Sequence, residues 1–248
     1  MKRRSYTLGR DDVPALIDTC IHVWSVPTGS ALNLETFAEV LSSEEKARAD
    51  RFHFERDRRA FIVCRGALRR LISAYTGLHA AHIGFRVGLH GKPSLKLEHR
   101  SELRFNVSHS GEMALVAFSL HQELGVDVEL KRTNVDVLAL AQLSFSRDER
   151  AAILSCSPED RVDLFYEFWT CKEAYIKADG RGLSVPLDQF SVAIRGVDPR
   201  WREIISVGQG PLARGMRGRM LAVGENYAAA AVTNLPAWQV MQMDMEFA

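Results

Sequence analysis

The chain has 248 residues, 46% of them hydrophobic and 25% charged, with 32 Lys and Arg against 31 Asp and Glu for a formal net charge of +1. That length can bury a core as one domain or two small ones, and the composition is that of a soluble globular protein. A charge so near zero gives no bulk attraction to nucleic acid or to an anionic membrane, and no window approaches the roughly 18 unbroken apolar residues of a membrane span.

At the N-terminus, Asp18 and His22 interrupt the stretch that would otherwise suit a signal peptide. Cys20, Cys64, Cys156 and Cys171 form no C-x-x-C pair or other metal-ligand spacing, so a reduced, cytoplasmic protein is expected. Ser42-Ser43-Glu44-Glu45 fits a Ser-x-x-Glu capping box and opens a helical region. From Lys46 to Arg70 nine basic residues face three acids, Asp50, Glu55 and Asp57. Such a run is either a solvated helix face or an anion site. Within it Phe61, Cys64, Leu68, Leu71, Ile72 and Tyr75 recur at helical spacing, and Gly77 stops the helix.

Strand-like segments follow at 83–87, 103–107 and 113–120, with the turn Gly91-Lys92-Pro93 between the first two. His79 and His82 lie three apart near the helix end without a third partner, which speaks against zinc. Gly125-Val126-Asp127-Val128-Glu129 then alternates apolar with acidic residues. As a strand it puts Asp127 and Glu129 on one face and both valines on the other.

A second capping box, Ser146-Arg147-Asp148-Glu149, opens the next helical region. The long helix that follows carries Phe165, Phe168, Trp169, Tyr175 and Ile176, and ends at Gly180 and Gly182. Trp169, Glu173 and Lys177 form one stripe of it at i, i+4 and i+8. Strand-like segments return at 189–194, 219–223 and 227–233. Cys64-Arg65-Gly66-Ala67 and Cys171-Lys172-Glu173-Ala174 stand at one constant offset, which reads as a duplication or as chance likeness between two amphipathic helices.

Two carboxylates on one strand face repel unless a cation lies between them. With Glu173 they offer three hard oxygen donors, a set that suits Mg²⁺ while leaving positions for water and phosphate oxygens. Taken singly, Asp127 and Glu129 also fit the solvent face of an edge strand, and Glu173 with Lys177 fits a helical i,i+4 ion pair.

Gly91-Lys92-Pro93, Phe105-Asn106-Val107-Ser108-His109-Ser110, Gly125 to Glu129, and Trp169 to Lys177 with Gly180 to Leu183 together resemble the 4′-phosphopantetheinyl transferases of the broad, surfactin-synthetase-activating type. The motifs keep that family's order across roughly positions 40 to 195. The resemblance implies an α+β fold made of two similar halves related by a pseudo-twofold, each a small antiparallel sheet packed with a long helix. Residues 1–122 would form the half that contacts coenzyme A, and residues 123–248 the half with the metal and catalytic motifs.

The reaction implied is transfer of 4′-phosphopantetheine from coenzyme A to a serine of an apo acyl carrier protein or peptidyl carrier domain, leaving 3′,5′-ADP. By this resemblance Lys46 and Lys92 read the 3′-phosphate, while Ser108 and His109 meet the pyrophosphate. Arg59, Arg48 or Arg51 replaces a basic residue that the family often has where this chain has Ala49; Arg59 is placed in the coenzyme A set. Asp127, Glu129 and Glu173 hold Mg²⁺. Glu173, Lys177 and His109 act in catalysis, and Glu149 is left to its capping role. The duplicated form implies a monomer. The competing expectations are a coenzyme A or carrier-binding module without chemistry, and another Mg²⁺-dependent phosphotransferase or phosphodiesterase.

Overall fold

A computed structural model describes residues 4–7, 13–29, 32–194, 198–206, 215–235 and 238–246; at Leu183, Ile194 and Ser206 it describes the backbone alone. In chain order the strands and α-helices are β1 (Arg4–Thr7), β2 (Cys20–Pro27), α1 (Glu35–Ala38), α2 (Ser43–Ala49), α3 (Glu55–Thr76), β3 (Phe85–Val87), β4 (Pro93–Leu95), β5 (Leu103–Ser110) and β6 (Met113–Leu120). They continue as β7 (Leu124–Leu130), α4 (Val137–Ser144), α5 (Arg147–Ser155), α6 (Arg161–Asp179), β8 (Phe190–Ile194), β9 (Trp201–Ser206), β10 (Arg217–Met220), β11 (Tyr227–Thr233) and β12 (Gln239–Glu246).

The chain divides into two compact units. One takes the chain up to Val87, Pro93–His121 and the chain from Gln239; the other takes Gly88–Lys92 and Gln122–Trp238. In the middle of the chain the boundary falls between His121 and Gln122, and Gly88–Lys92 and the chain from Gln239 each go to the other unit from the residues that precede them. β12 pairs in parallel with β2, which carries the C-terminal strand back into the first unit. The turn that holds Lys92 goes to the second unit, because the Lys92 ammonium bonds only to groups of that unit among its described partners.

In the first unit the sheet order is β1-β12-β2-β6-β5, with α3 packed on it. β2, β6 and β5 form the expected antiparallel core, and β12 and β1 extend it in parallel. β2 shows no period-2 pattern because seven of its eight residues are buried, the signature of a strand covered on both faces. Trp24, Phe37, Leu68, Leu71, Ile72 and Phe118 fill the core between sheet and helix. Ser42 caps α2 in the expected box, and Gly77 ends α3 in the left-handed region at φ 72°.

In the second unit the sheet is antiparallel throughout, in the order β7-β11-β10-β9-β8, and α6 lies on it. Phe145, Phe165, Phe168, Tyr175 and Phe190 make its core, with Phe145 and Phe165 stacked at 5.1 Å. Ser146 forms the second capping box with Glu149, and Gly180 ends α6 at φ 83°. Each unit thus repeats a capping box, a long helix ending in a left-handed glycine, and a sheet. The duplication extends to side chains. The capping-box Glu45 accepts from Arg65 Nε at 2.5 Å and Arg69 Nε at 2.7 Å, while its counterpart Glu149 pairs with Lys172 at 2.9 Å. Arg65 and Lys172 are the residues matched by the constant offset.

All four cysteines are free, and Cys20, Cys64 and Cys171 are buried. His22 is also buried; its Nδ1 lies 2.7 Å from the Tyr75 hydroxyl, to which Trp24 Nε1 donates at 2.9 Å. Burial pushes the His22 imidazole down to about 4 from an ordinary 6.5. The unfolded chain then binds a proton that the native state refuses, so this group withdraws stability as pH falls from about 6.5 towards 4. Denaturant midpoints should decline across that window by the equivalent of about 3 kcal/mol, and His22→Gln should flatten the decline. A variant with an unchanged pH slope would remove His22 as its source.

Candidate active site

The site is built where α6 crosses β7. Gly125, Asp127 and Glu129 alternate along one face of β7, and Val126 and Val128, both fully buried, occupy the other. A Cβ placed on Gly125 would stand 2.0 Å from the Ala174 carbonyl oxygen and 2.5 Å from the Ala178 nitrogen. Only a residue without a side chain lets the helix backbone come this close. Gly218 of β10 does the same on the other side, where a Cβ would meet Cys171 Sγ at 2.7 Å. Across the sheet Asp127 and Glu129 face Ala230 and Ala228 of β11, so small side chains flank both carboxylates.

Seated in this way, α6 delivers Lys177 to Asp127, and Lys177 Nζ donates to Asp127 Oδ1 at 2.6 Å. The Asp127 side chain is almost wholly buried, whereas Lys177 keeps 29% exposure. One turn earlier, burial raises the Glu173 carboxyl above its ordinary value; Asp127 and Glu129 raise it further by repulsion, and Lys177 opposes them. The three carboxylates and the ammonium predicted from sequence are therefore brought together within one unit. The solvent-face reading fails for Asp127, which is 2% exposed and faces a helix, although β7 is an edge strand of its sheet. The i,i+4 partner expected for Glu173 on the helix surface is instead bonded across to the strand.

The three carboxylates are hard oxygen donors of the kind a divalent cation takes. Two carboxylates on one strand face and a third raised by their charge are an arrangement that a cation relieves. Among the described residues no group of three or more His, Cys, Asp or Glu side chains is placed so that it could hold a metal ion. Mg²⁺ does not need one, since it binds through one or two carboxylates together with water and substrate phosphates. The residues fit.

Lys92 has a more constrained place than a turn lysine normally has. Its Nζ donates to Glu123 Oε2 at 2.6 Å, to the Leu124 carbonyl at 3.1 Å and to the Ala178 carbonyl at 3.2 Å. It ties the start of β7 to the last turn of α6, where helix carbonyls lack intrahelical donors. Glu123 went unremarked in the sequence because nothing local sets it apart; its role follows from a contact 31 positions away.

In the first unit Ser108 and His109 close β5, Ser108 buried and His109 exposed beside the turn at Gly111, which has φ 57°. Lys46 is exposed on α2. Arg59, half-buried in α3, donates through Nη2 to the Leu32 carbonyl at 3.0 Å. Of the other candidates to replace the base missing at Ala49, Arg48 lies over the Phe61 ring at 5.1 Å, and Arg51 is exposed just after α2. Ala49 itself is 2% exposed, so a charged side chain there would be buried in this chain.

Residues 24–121 match the family described as 4′-phosphopantetheinyl transferase, N-terminal, and residues 123–230 match the 4′-phosphopantetheinyl transferase superfamily. The chain is 36% identical to the 4′-phosphopantetheinyl transferase HetI of Nostoc sp. over 186 residues, covering 74% of this chain and 78% of the relative. It is 36% identical to a putative 4′-phosphopantetheinyl transferase of Synechocystis sp., covering 67% and 68% of the two chains. Against the 4′-phosphopantetheinyl transferase Sfp of Bacillus subtilis the identity is 33% over 64% and 69%. The chain belongs to the 4′-phosphopantetheinyl transferase superfamily.

Gly125→Ala tests the packing on which the site rests. The added methyl would overlap the α6 backbone, and overpacking of this kind costs about 3 kcal/mol or more when both partners are backbone. Denaturant unfolding should show that loss, with transferase activity falling in the fraction that remains folded. A stable, fully active Gly125→Ala protein would mean that α6 does not sit on β7 as described.

Proposed function

We propose that the chain transfers 4′-phosphopantetheine from coenzyme A to the serine hydroxyl of an apo acyl or peptidyl carrier protein, with 3′,5′-ADP leaving, and that the β7–α6 site carries the chemistry. The observation that supports this most is Lys177 bonded to buried Asp127 beside a Glu173 whose charge is resisted by burial and then by Asp127 and Glu129. A Mg²⁺ ion held by Asp127, Glu129 and Glu173 would neutralise pyrophosphate charge that otherwise repels the incoming hydroxyl oxygen.

In this reading the serine oxygen forms a bond to the phosphorus that bears the pantetheine arm, and the bond to the ADP phosphate breaks with its electron pair on that phosphate. Glu173 takes the serine proton across one water, because a carboxylate that also held the ion would be too weak a base to take it directly. Lys177 turns from Asp127 towards the leaving phosphate and meets its growing charge. His109 and Ser108 orient the pyrophosphate through side-chain donors. Lys46, Arg59 and Lys92 hold the 3′-phosphate, Lys92 by exchanging Glu123 for that anion. Alignment and charge neutralisation dominate phosphoryl transfer, which fits a site made of charged groups on rigid elements.

No helix among the described residues is long and apolar enough to cross a membrane. Four free cysteines fit action on carrier proteins in a reducing compartment such as the cytoplasm. A single chain containing both halves supports a monomer.

Intact-mass analysis tests the reaction. Incubated with coenzyme A, Mg²⁺ and apo carriers, the protein should raise a carrier's mass by one phosphopantetheine. Asp127→Ala should slow this roughly 10²-fold or more, because a charged ligand is lost from the transition state. Carriers left unmodified, while an active transferase modifies the same samples, would overturn the reading.

Two donors separate the lysines. Lys92→Ala should weaken coenzyme A while leaving dephospho-coenzyme A, which lacks the 3′-phosphate, nearly unaffected. Lys177→Ala should lower turnover with both donors, since its partner is the reacting pyrophosphate. If Lys92→Ala weakens both donors equally, Lys92 works through α6 and not through the 3′-phosphate.

A further inference from the structure

Lys172 lies inside the Trp169-to-Lys177 motif yet has no route to a substrate. Its side chain is 0% exposed and that of its partner Glu149 is 1% exposed. The ammonium donates to Glu149 Oε2 at 2.9 Å, to the Leu187 carbonyl at 2.6 Å and to the Phe190 carbonyl, which uses all three of its protons. The same Nζ lies 4.1 Å from the centre of the Phe190 ring.

Glu149 is equally committed. Its Oε1 accepts from Val192 N at 2.8 Å and its Oε2 from Ser146 N at 2.9 Å, while Ser146 Oγ lies 2.7 Å from Ser191 Oγ. The start of α5, the turn before β8, β8 itself and α6 thus meet at one buried ion pair.

We infer that Lys172 and Glu149 are positioning residues that fix the rotation of α6 about its axis and so aim Glu173 at Asp127 and Glu129. The inference rests on the carboxylate reading above and carries it to residues that touch no reacting group. Successive helix residues point about 100° apart, so locking Lys172 into the core sets the direction of Glu173. A buried ion pair is seldom more stabilising than apolar packing of the same shape, so its stability contribution is a weak reason for its presence. Its directional bonds supply what apolar contacts do not, a single azimuth for the helix.

The first unit supports this. There Glu45 clamps α3 through Arg65 and Arg69, and Arg69 also donates to the Ala80 and Ile83 carbonyls at 2.8 and 2.9 Å. At the place matching Glu173 that helix has Gly66, packed on Phe37. The clamp is a device for seating the long helix, and in the second unit a carboxylate is mounted beside it.

The test uses the full chain as Glu149→Gln and as Lys172→Met. Circular dichroism and thermal melts report folding, Mn²⁺ titration followed by electron paramagnetic resonance reports ion affinity, and steady-state kinetics separate kcat from KM for coenzyme A. The folded variants should bind Mn²⁺ about 10-fold or more weakly and lose kcat to a similar extent, with KM for coenzyme A within about 3-fold of wild type. Folded variants with wild-type Mn²⁺ affinity and kcat would overturn the inference. Loss of folding in both variants would also overturn it, by reducing the pair to a stability element. Wild-type protein that modifies no carrier would remove the proposed reaction instead, and the Mn²⁺ comparison would still decide whether the pair aims Glu173.

Discussion

The close seating of α6 on β7 across Gly125 is the constraint on which the second unit depends. With no side chain at that position, the helix backbone lies against the strand, and the carboxylates that follow on the same strand face come within reach of Glu173 and Lys177. A charged cluster assembled in this way is unfavourable by itself. Its parts are held by packing on Gly125 and Gly218, by the Lys92 contacts at the end of α6 and by the buried Lys172–Glu149 pair. The fold thus opposes repulsion that the proposed ion would relieve, which is how a preorganised electrostatic site stores its function.

The duplication gives this arrangement a plain origin in the chain. Both units use a capping-box glutamate twice, once to satisfy the free N–H groups at a short helix start and once as the counter-ion of a long-helix base. One half then carries a glycine and the other a glutamate beside that base. The proposed chemistry would occupy a scaffold whose structural logic is complete without it.

Much of this was legible in the sequence, and the reasons differ from element to element. The capping boxes, the glycine stops and β11 follow from local rules, so they stand where expected. The face shared by Asp127 and Glu129 followed from period-2 alternation. β2 and β12 did not declare themselves, since a strand buried on both faces loses its alternation and a parallel partner from the far end of the chain leaves no local trace. β9 and β1 were likewise unheralded. Within the site, Glu173 and Lys177 were visible as a helical stripe. That Lys177 would turn to Asp127, and that Lys92 would hold Glu123 and the end of α6, are contacts across 50, 31 and 86 positions that only the fold creates.

The account's central claim is that the β7 face and α6 together form a cation site beside the reacting phosphates. Its most direct test is an anomalous difference map from crystals of the protein grown with Mn²⁺ and coenzyme A. The account predicts a peak about 2.1–2.2 Å from side-chain oxygens of Asp127 and Glu173, with Lys177 moved off Asp127 towards phosphate oxygen. A map with no peak there, and with Lys177 still bonded to Asp127 while coenzyme A is bound, would contradict it.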